Sequence, residues 1–267
     1  MTAAIRLGPL GGLREVPLVQ RGVSAQASRS ESSFVTLGGR RAIQRSPRAP
    51  RSWAMSLGQW RTPADVAYLT ACADGSVPGP LYLHTQDAAL SNLLPGGVAA
   101  PCRMGTVALG SVAGTVAVDT PGGAVPSSGV VQQAAAGAWS ATIPVRQVAH
   151  SLSAWASAAG AALTWRTVNA AGAQVATGTV TAAAVAGGFR GVASFTPGST
   201  VVGVQVRTPA GSLTVGGLRL TEGAHDATWL PGEGVPQVVV SDPERTLQLV
   251  TSTDVRSDYT VTIREVG

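Results

Sequence analysis

The chain has 267 residues, of which 12% are charged and 4% aromatic, with a net charge of +5. It is long enough to bury a core without staples, and its abundant Ala, Gly, Val, Ser and Thr point to Gly-punctuated β architecture. Two cysteines, Cys72 and Cys102, give neither a disulfide framework nor a metal cluster, and no apolar run approaches the roughly 18 residues of a membrane-spanning helix.

Residues 1–31 are rich in Gly, Ser and Arg, with one apolar cluster at Val16-Pro17-Leu18-Val19, and read as an extended arm or edge strand. The opening Met1-Thr2-Ala3-Ala4-Ile5-Arg6 lacks the apolar stretch of a signal peptide, so synthesis and assembly in a cytoplasm are expected. Residues 34–37 predict a strand, Gly38-Gly39 a tight turn, and 40–44 a more polar return. Pro47 and Pro50 make 46–51 an exposed loop.

This region is strongly basic. Residues 1–61 hold ten arginines against Glu15 and Glu31, which leaves +8 there and −3 over the other 206 residues. No lysine occurs, so every cation is a planar guanidinium suited to bidentate pairing. The arginines are spaced by Gly, Ser and Pro without a helical stripe or interleaved stacking aromatics. That pattern favours protein contacts in an assembly over nucleic acid.

Alternation of Trp53, Met55 and Leu57 predicts a strand over 52–60 with those three on one face. A helix over 63–74 follows: Thr62 is the N-cap, Pro63 takes the first turn, and Asp65 favours the positive end of the dipole. Val66, Leu69 and Ala73 form its buried stripe, and Gly75 suits a left-handed exit. A Pro78-Gly79-Pro80 turn leads to a strand over 81–84, then to a segment from Asp87 through Asn92-Leu93-Leu94.

From Gly96 to Leu220 short Val/Ala/Thr segments recur every 8–12 residues or so between Gly and Pro, as in a sandwich or jelly roll. Strands are predicted over 115–119, 139–145, 151–157, 162–168, 175–182, 191–195, 201–207 and 213–220, with a hairpin turn at Asn169-Ala170-Ala171-Gly172. The end of the chain predicts three more strands, near 237–241, 247–252 and 259–266. Three strands are too few to stand alone. The economical arrangement is a discontinuous β domain, 1–97 plus 224–267, interrupted by an inserted sandwich over 98–223.

Catalytic chemistry has little to build on. His84, His150 and His225 are isolated in sequence, no nucleophile elbow, zinc motif or phosphate loop occurs, and a carboxylate pair would have to come from segments as distant as Asp119 and Glu222. The expectation is no catalytic residue, no metal and no cofactor. For sugar contact the best placed ring is Trp155, which alternates to the face opposite Leu152, Ala154 and Ala156; Trp165, beside Leu163, is expected in the core. The competing reading makes such tryptophans core plugs.

Taken in order, Arg51-Ser52-Trp53 through Trp60, Thr62-Pro63 through Gly75, Pro78-Gly79-Pro80-Leu81-Tyr82 and Ser91-Asn92-Leu93-Leu94 resemble the minor tail and distal tail proteins of long-tailed, siphovirus-type phages of actinobacteria. Trp229-Leu230-Pro231-Gly232-Glu233-Gly234 and the terminal Glu265-Val266-Gly267 complete the pattern, and the insert is similar in texture to galectin-like or carbohydrate-binding sandwiches. The resemblance implies a structural virion protein of the tail tip or baseplate, assembled in the host cytoplasm. Its partners would be the tail tube protein, other tail-tip proteins and further copies of itself in a ring, six favoured and three the alternative. Arg40, Arg41, Arg45, Arg48 and Arg51 are the expected assembly contacts, with no nucleic-acid specificity and no membrane insertion. The alternative is a peripheral tail protein that binds a receptor or cell-wall polysaccharide through the insert, where Trp155 would meet a host glycan.

Overall fold

The computed structural model describes residues 4–17, 23–27, 31–35, 38–45, 50–57, 63–100, 109, 112–120, 123–224, 229–230, 234–250 and 255–266. The molecule is mainly β, as the alternation of small and branched side chains predicts, and its strands pair antiparallel. It divides into two compact units: Met1–Pro9, Leu13–Leu83 and Pro236–Gly267 form the first, Leu10–Gly12 and His84–Val235 the second.

The first unit contains β1 (Ala4–Pro9), β2 (Arg14–Pro17), β3 (Val23–Ala27), β4 (Glu31–Val35), β5 (Arg41–Arg45), β6 (Arg51–Leu57), helix α1 (Pro63–Ala73) and β7 (Leu81–His84), whose last residue clusters with the second unit. The second contains α2 (Gln86–Ser91), α3 (Gly96–Ala99), β8 (Val112–Thr120), β9 (Gly123–Val131), β10 (Ile143–Pro144), β11 (His150–Ala156), β12 (Gly160–Asn169), β13 (Gln174–Val185), β14 (Gly188–Phe195), β15 (Val201–Arg207) and β16 (Thr214–Glu222). The chain then returns to the first with β17 (Gln237–Val240), β18 (Glu244–Val250) and β19 (Val255–Glu265).

The first unit's main sheet runs β2-β1-β7-β17-β19-β6-β3, with β18 also paired to β19. C-terminal strands are therefore threaded among N-terminal ones: β17 pairs β7, and β19 pairs β6 from Tyr259↔Leu57 to Arg264↔Ser52. Trp53, Met55 and Leu57 share one buried face with Val261 and Ile263, as the two-residue period requires. The expected arm or edge strand at 1–31 is an edge strand at β2, which ends the sheet order, but not at β1. Ile5 and Leu7 alternate inward from β1 and are buried, so this segment supplies a core strand.

Helix α1 buries Leu69 and Cys72, while Val66 and Ala73 are half-buried; Gly75 takes φ +81° where a left-handed exit was expected. Thr62 lies outside the described residues. Tyr68 donates its hydroxyl to Leu7 O at 2.8 Å, and burial, with Cys72 alongside, pushes its pKa up to about 12, so it stays a donor. Burial also raises the Cys72 thiol, which favours its neutral, unreactive form. Cys102 lies outside the described residues.

In the second unit the strand order is β10-β15-β12-β13-β14-β11-β16-β9-β8. Strand β13 is long enough to serve two neighbours: its first part pairs β12, and Ala183–Val185 pair β14. Inward residues from both halves, including Leu152, Leu163, Trp165, Val204, Val206, Leu218 and Leu220, form one core. Gly178 pairs with Trp165, and a Cβ there would meet the indole at 2.6 Å, so glycine is required. The Asn169–Gly172 turn connects β12 and β13, with the Asn169 side chain accepting from Ala171 N and Ala173 N. Of the strand predicted over 139–145 only Ile143–Pro144 forms; upstream, Ser140 bonds irregularly to β15 through its backbone and hydroxyl.

The chain enters and leaves the second unit at adjacent points of the first. Leu83 N donates to Pro236 O at 3.0 Å, so the two crossing segments are hydrogen-bonded to one another.

Candidate functional site

The arginines singled out in the sequence fall into different settings. Strands β4 and β5 form a two-stranded ribbon of their own, between β3 and β6 in the chain, with Val35↔Arg41, Ser33↔Ile43 and Glu31↔Arg45 as cross-strand partners. Alternation puts Val35 and Ile43 on one face and Phe34 on the other. Phe34 is 55% exposed, Val35 69% and Ile43 51%. Arg40 is exposed at the turn, and exposed Arg41 donates Nη2 to Ser33 Oγ at 3.3 Å. Arg45 belongs to β5, its side chain is not described, and Arg48 lies outside the described residues.

Arg51 is different. Its backbone N and its Nε both donate to Glu265 Oε2, at 3.1 and 3.0 Å, and its guanidinium lies 5.1 Å from the centre of the Trp53 ring. That fork ties β6 to the end of β19. Arg51 thus makes an internal contact, whereas Arg40 and Arg41 are exposed.

Trp155 is corrected more sharply: at 2% exposure it offers no ring face to a glycan. Alternation does place it opposite Leu152, but that opposite face is also covered. The β8–β9 hairpin joins β16 through only three residue pairs and lies across it, so Val116 and Val118 close over Trp155 together with Ala100 and Trp229. Gly217, at φ +55°, provides the room; a Cβ there would run into Val118 and approach Trp155 Cδ1 at 3.1 Å. Trp165 is in the core as expected, stacked on Phe195 with centroids 4.6 Å apart.

The second unit also brings together charges that the sequence did not connect. Glu222, at the end of β16, pairs with Arg146 Nη1 at 2.8 Å and lies 3.1 Å from His84 Nε2, an ion-pair distance without the alignment of a hydrogen bond. His150 is its cross-strand partner on β11. His84 and His150 are 0% and 1% exposed. Burial pushes the Glu222 carboxyl up, but His84 and the Arg146 ion pair outweigh it and hold it at about 2. Burial pushes His150 down, against the opposing Val148 carbonyl 2.7 Å from its Nδ1 and the Glu222 charge. Isolated in sequence, His150 and Glu222 meet because β11 and β16 are neighbours, and His84 from the end of β7 and Arg146 from the segment before β11 join them. The cluster has no exposed nucleophile, and its carboxylate is already paired. Asp119, its conceivable catalytic partner, lies on β8 with no described side chain.

Nearby, Asn92 ties the exit of α2 to β16. Its Nδ2 donates to Leu218 O and Leu230 O at 2.9 and 3.1 Å, and its Oδ1 accepts from Leu94 N and Leu220 N at 3.1 and 3.0 Å. Arg219 donates to the carbonyls of Ser91 and Leu90, closing the C-terminal end of α2. The Asn92-Leu93-Leu94 segment, each residue 0% exposed, is thus a structural fastener.

Among the described residues no group of three or more His, Cys, Asp and Glu is placed to hold a metal ion, and no helix is long and apolar enough to cross a membrane. No family model, curated protein or solved structure matches the chain.

Proposed function

We propose that the protein is a structural, non-catalytic virion component at the distal end of a phage tail, where copies join in a ring and link the tail tube to host-recognition proteins. The β4–β5 ribbon is the observation that carries this reading. It has exposed apolar side chains on both faces, arginines at its turn, and no third strand among the described residues. An isolated two-stranded ribbon is marginal in water, and a neighbouring subunit that covers Phe34, Val35 and Ile43 would complete it. Arg40 and Arg41 would pair with carboxylates on that neighbour. The interleaving of β17 and β19 with β6 and β7 also supports the reading, because it gives the ribbon a base closed by distant parts of the chain.

The test has two readouts. Labelled protein should image at the tail tip of virions, and the isolated protein should form a closed ring with six copies favoured. Replacing Arg40 and Arg41 with Glu should abolish the ring while leaving the protomer folded. Normal virions from that variant would overturn the assembly role of the ribbon. Sparse peripheral copies would instead favour a receptor-binding tail protein.

A further inference from the structure

We propose that the second unit binds an anionic polymer on the outward face of its β10-β15-β12-β13 half, with Arg166 and Arg207 holding the anion and Trp139 as their scaffold. Arg166↔Gln205 and Thr164↔Arg207 are consecutive same-face pairs of β12 and β15, so the two guanidiniums spring from diagonal neighbours. The intervening Trp165 and Val206 point the other way, into the core. Trp139, in the segment before β10, has its ring centre 4.4 Å from the Arg166 guanidinium carbon and 4.3 Å from that of Arg207. The electron-rich indole draws both cations to it and so brings two like charges together.

No described carboxylate neutralises them. Arg166 Nε donates to Gln205 Oε1 at 2.8 Å, and Gln205 Nε2 donates to Thr142 Oγ1 at 2.9 Å. This relay fixes the plane of the Arg166 guanidinium and leaves its terminal nitrogens without an acceptor among the described residues. Arg207 has no hydrogen-bond acceptor there, its Nε is fully shielded, and no described carboxylate is in ion-pair range of either arginine. Trp139, Arg166 and Arg207 are half-buried, so an anion there interacts more strongly than with a fully exposed arginine.

The kind of occupant follows from the surroundings. Arg166↔Thr177 and Thr164↔Thr179 continue the same face onto β13, where Thr177 and Thr179 are exposed. Open strand surface lined with hydroxyls suits an extended hydroxylated chain that carries phosphate or carboxylate groups. The inference stands apart from the assembly reading, since it concerns the isolated chain.

The experiment titrates the full-length protein with poly(glycerol phosphate), with a glucuronate-containing polysaccharide and with neutral dextran, following heat or tryptophan fluorescence. At least one anionic polymer should bind, more weakly as salt rises, and dextran should not; the two anionic arms distinguish phosphate from carboxylate. R166Q/R207Q should weaken binding about tenfold or more, whereas R264Q, an exposed arginine of the first unit, should leave it unchanged. R166K/R207K keeps the charge but loses the fork and should also bind poorly, which covers the case in which the glutamine pair fails to fold. Binding of neither anionic polymer, equal loss in R264Q, or full binding by a folded double variant would overturn the proposal.

Discussion

The β12–β13 and β4–β5 hairpins are both antiparallel ribbons with apolar residues alternating along them, and they meet opposite fates. In β12–β13, Leu163, Trp165, Val180 and Ala182 face a core closed by β11, β15 and β16. In β4–β5, Phe34, Val35 and Ile43 are exposed on a ribbon with no third strand among the described residues. Alternation specifies which side chains share a face; it does not specify what covers that face. Where neighbouring strands cover that face the residues are core, and on β4–β5 they stay exposed.

The largest effect that separates the two comes from truncating the covered ring. Trp165→Ala should destabilise the protomer by about 3–5 kcal/mol through lost burial and the cavity left behind, read from the urea midpoint. Asn92→Ala should follow at about 3 kcal/mol, because it strands backbone groups of Leu94, Leu218 and Leu220 in the interior. On the ribbon, Phe34→Ser with Ile43→Ser should change protomer stability by no more than about 0.5 kcal/mol while reducing oligomer formation in sedimentation. A large loss of protomer stability from that pair would mean the ribbon is packed within its own chain, and the contrast would fail.

Acid gives a graded test of the buried side. His150 is held below its ordinary 6.5 by burial, so the unfolded chain takes that proton first and stability begins to fall below pH 6.5. Glu222 is held at about 2 against 4.5, so its contribution is complete above pH 4.5 and is lost as the pH drops toward 2. His84 and Arg146 face the same carboxylate, and Glu222→Gln should flatten the acid limb below pH 4.5. An unchanged limb would show that the cluster does not govern acid stability. The β4–β5 ribbon should show none of this dependence in oligomer-free protein.

Much of the fold was legible because it is local. The proline entry and glycine exit of α1, the strand over 201–207, and the Asn169–Gly172 turn each follow from short-range chemistry. Strand β9 was not, since Gly123, Pro126, Ser127, Ser128 and Gly129 read as loop. Pro126 is tolerated because β9 pairs β16 only from Gly129 onward, so at Pro126 the strand has a neighbour on one side alone. Strand β1 was obscured by the Gly8-Pro9 that ends it. Trp155 was placed on the right face of β11, yet its cover comes from Val118, Ala100 and Trp229, far away in sequence. The meeting of His84, Arg146, His150 and Glu222, and that of Trp139, Arg166 and Arg207, likewise depend on strand order, which no spacing in the chain encodes.

The hydrogen bond between Leu83 N and Pro236 O has a consequence for how such a chain can change. Because the backbone leaves and returns at neighbouring points, the first unit's sheet pairs β7 with β17 whatever length of chain runs between them. Residues 84–235 can therefore be lengthened, shortened or exchanged for another module whose ends lie close together, at little entropic cost to the β7–β17 pairing. The junction fixes where the intervening residues begin and end and leaves their number free.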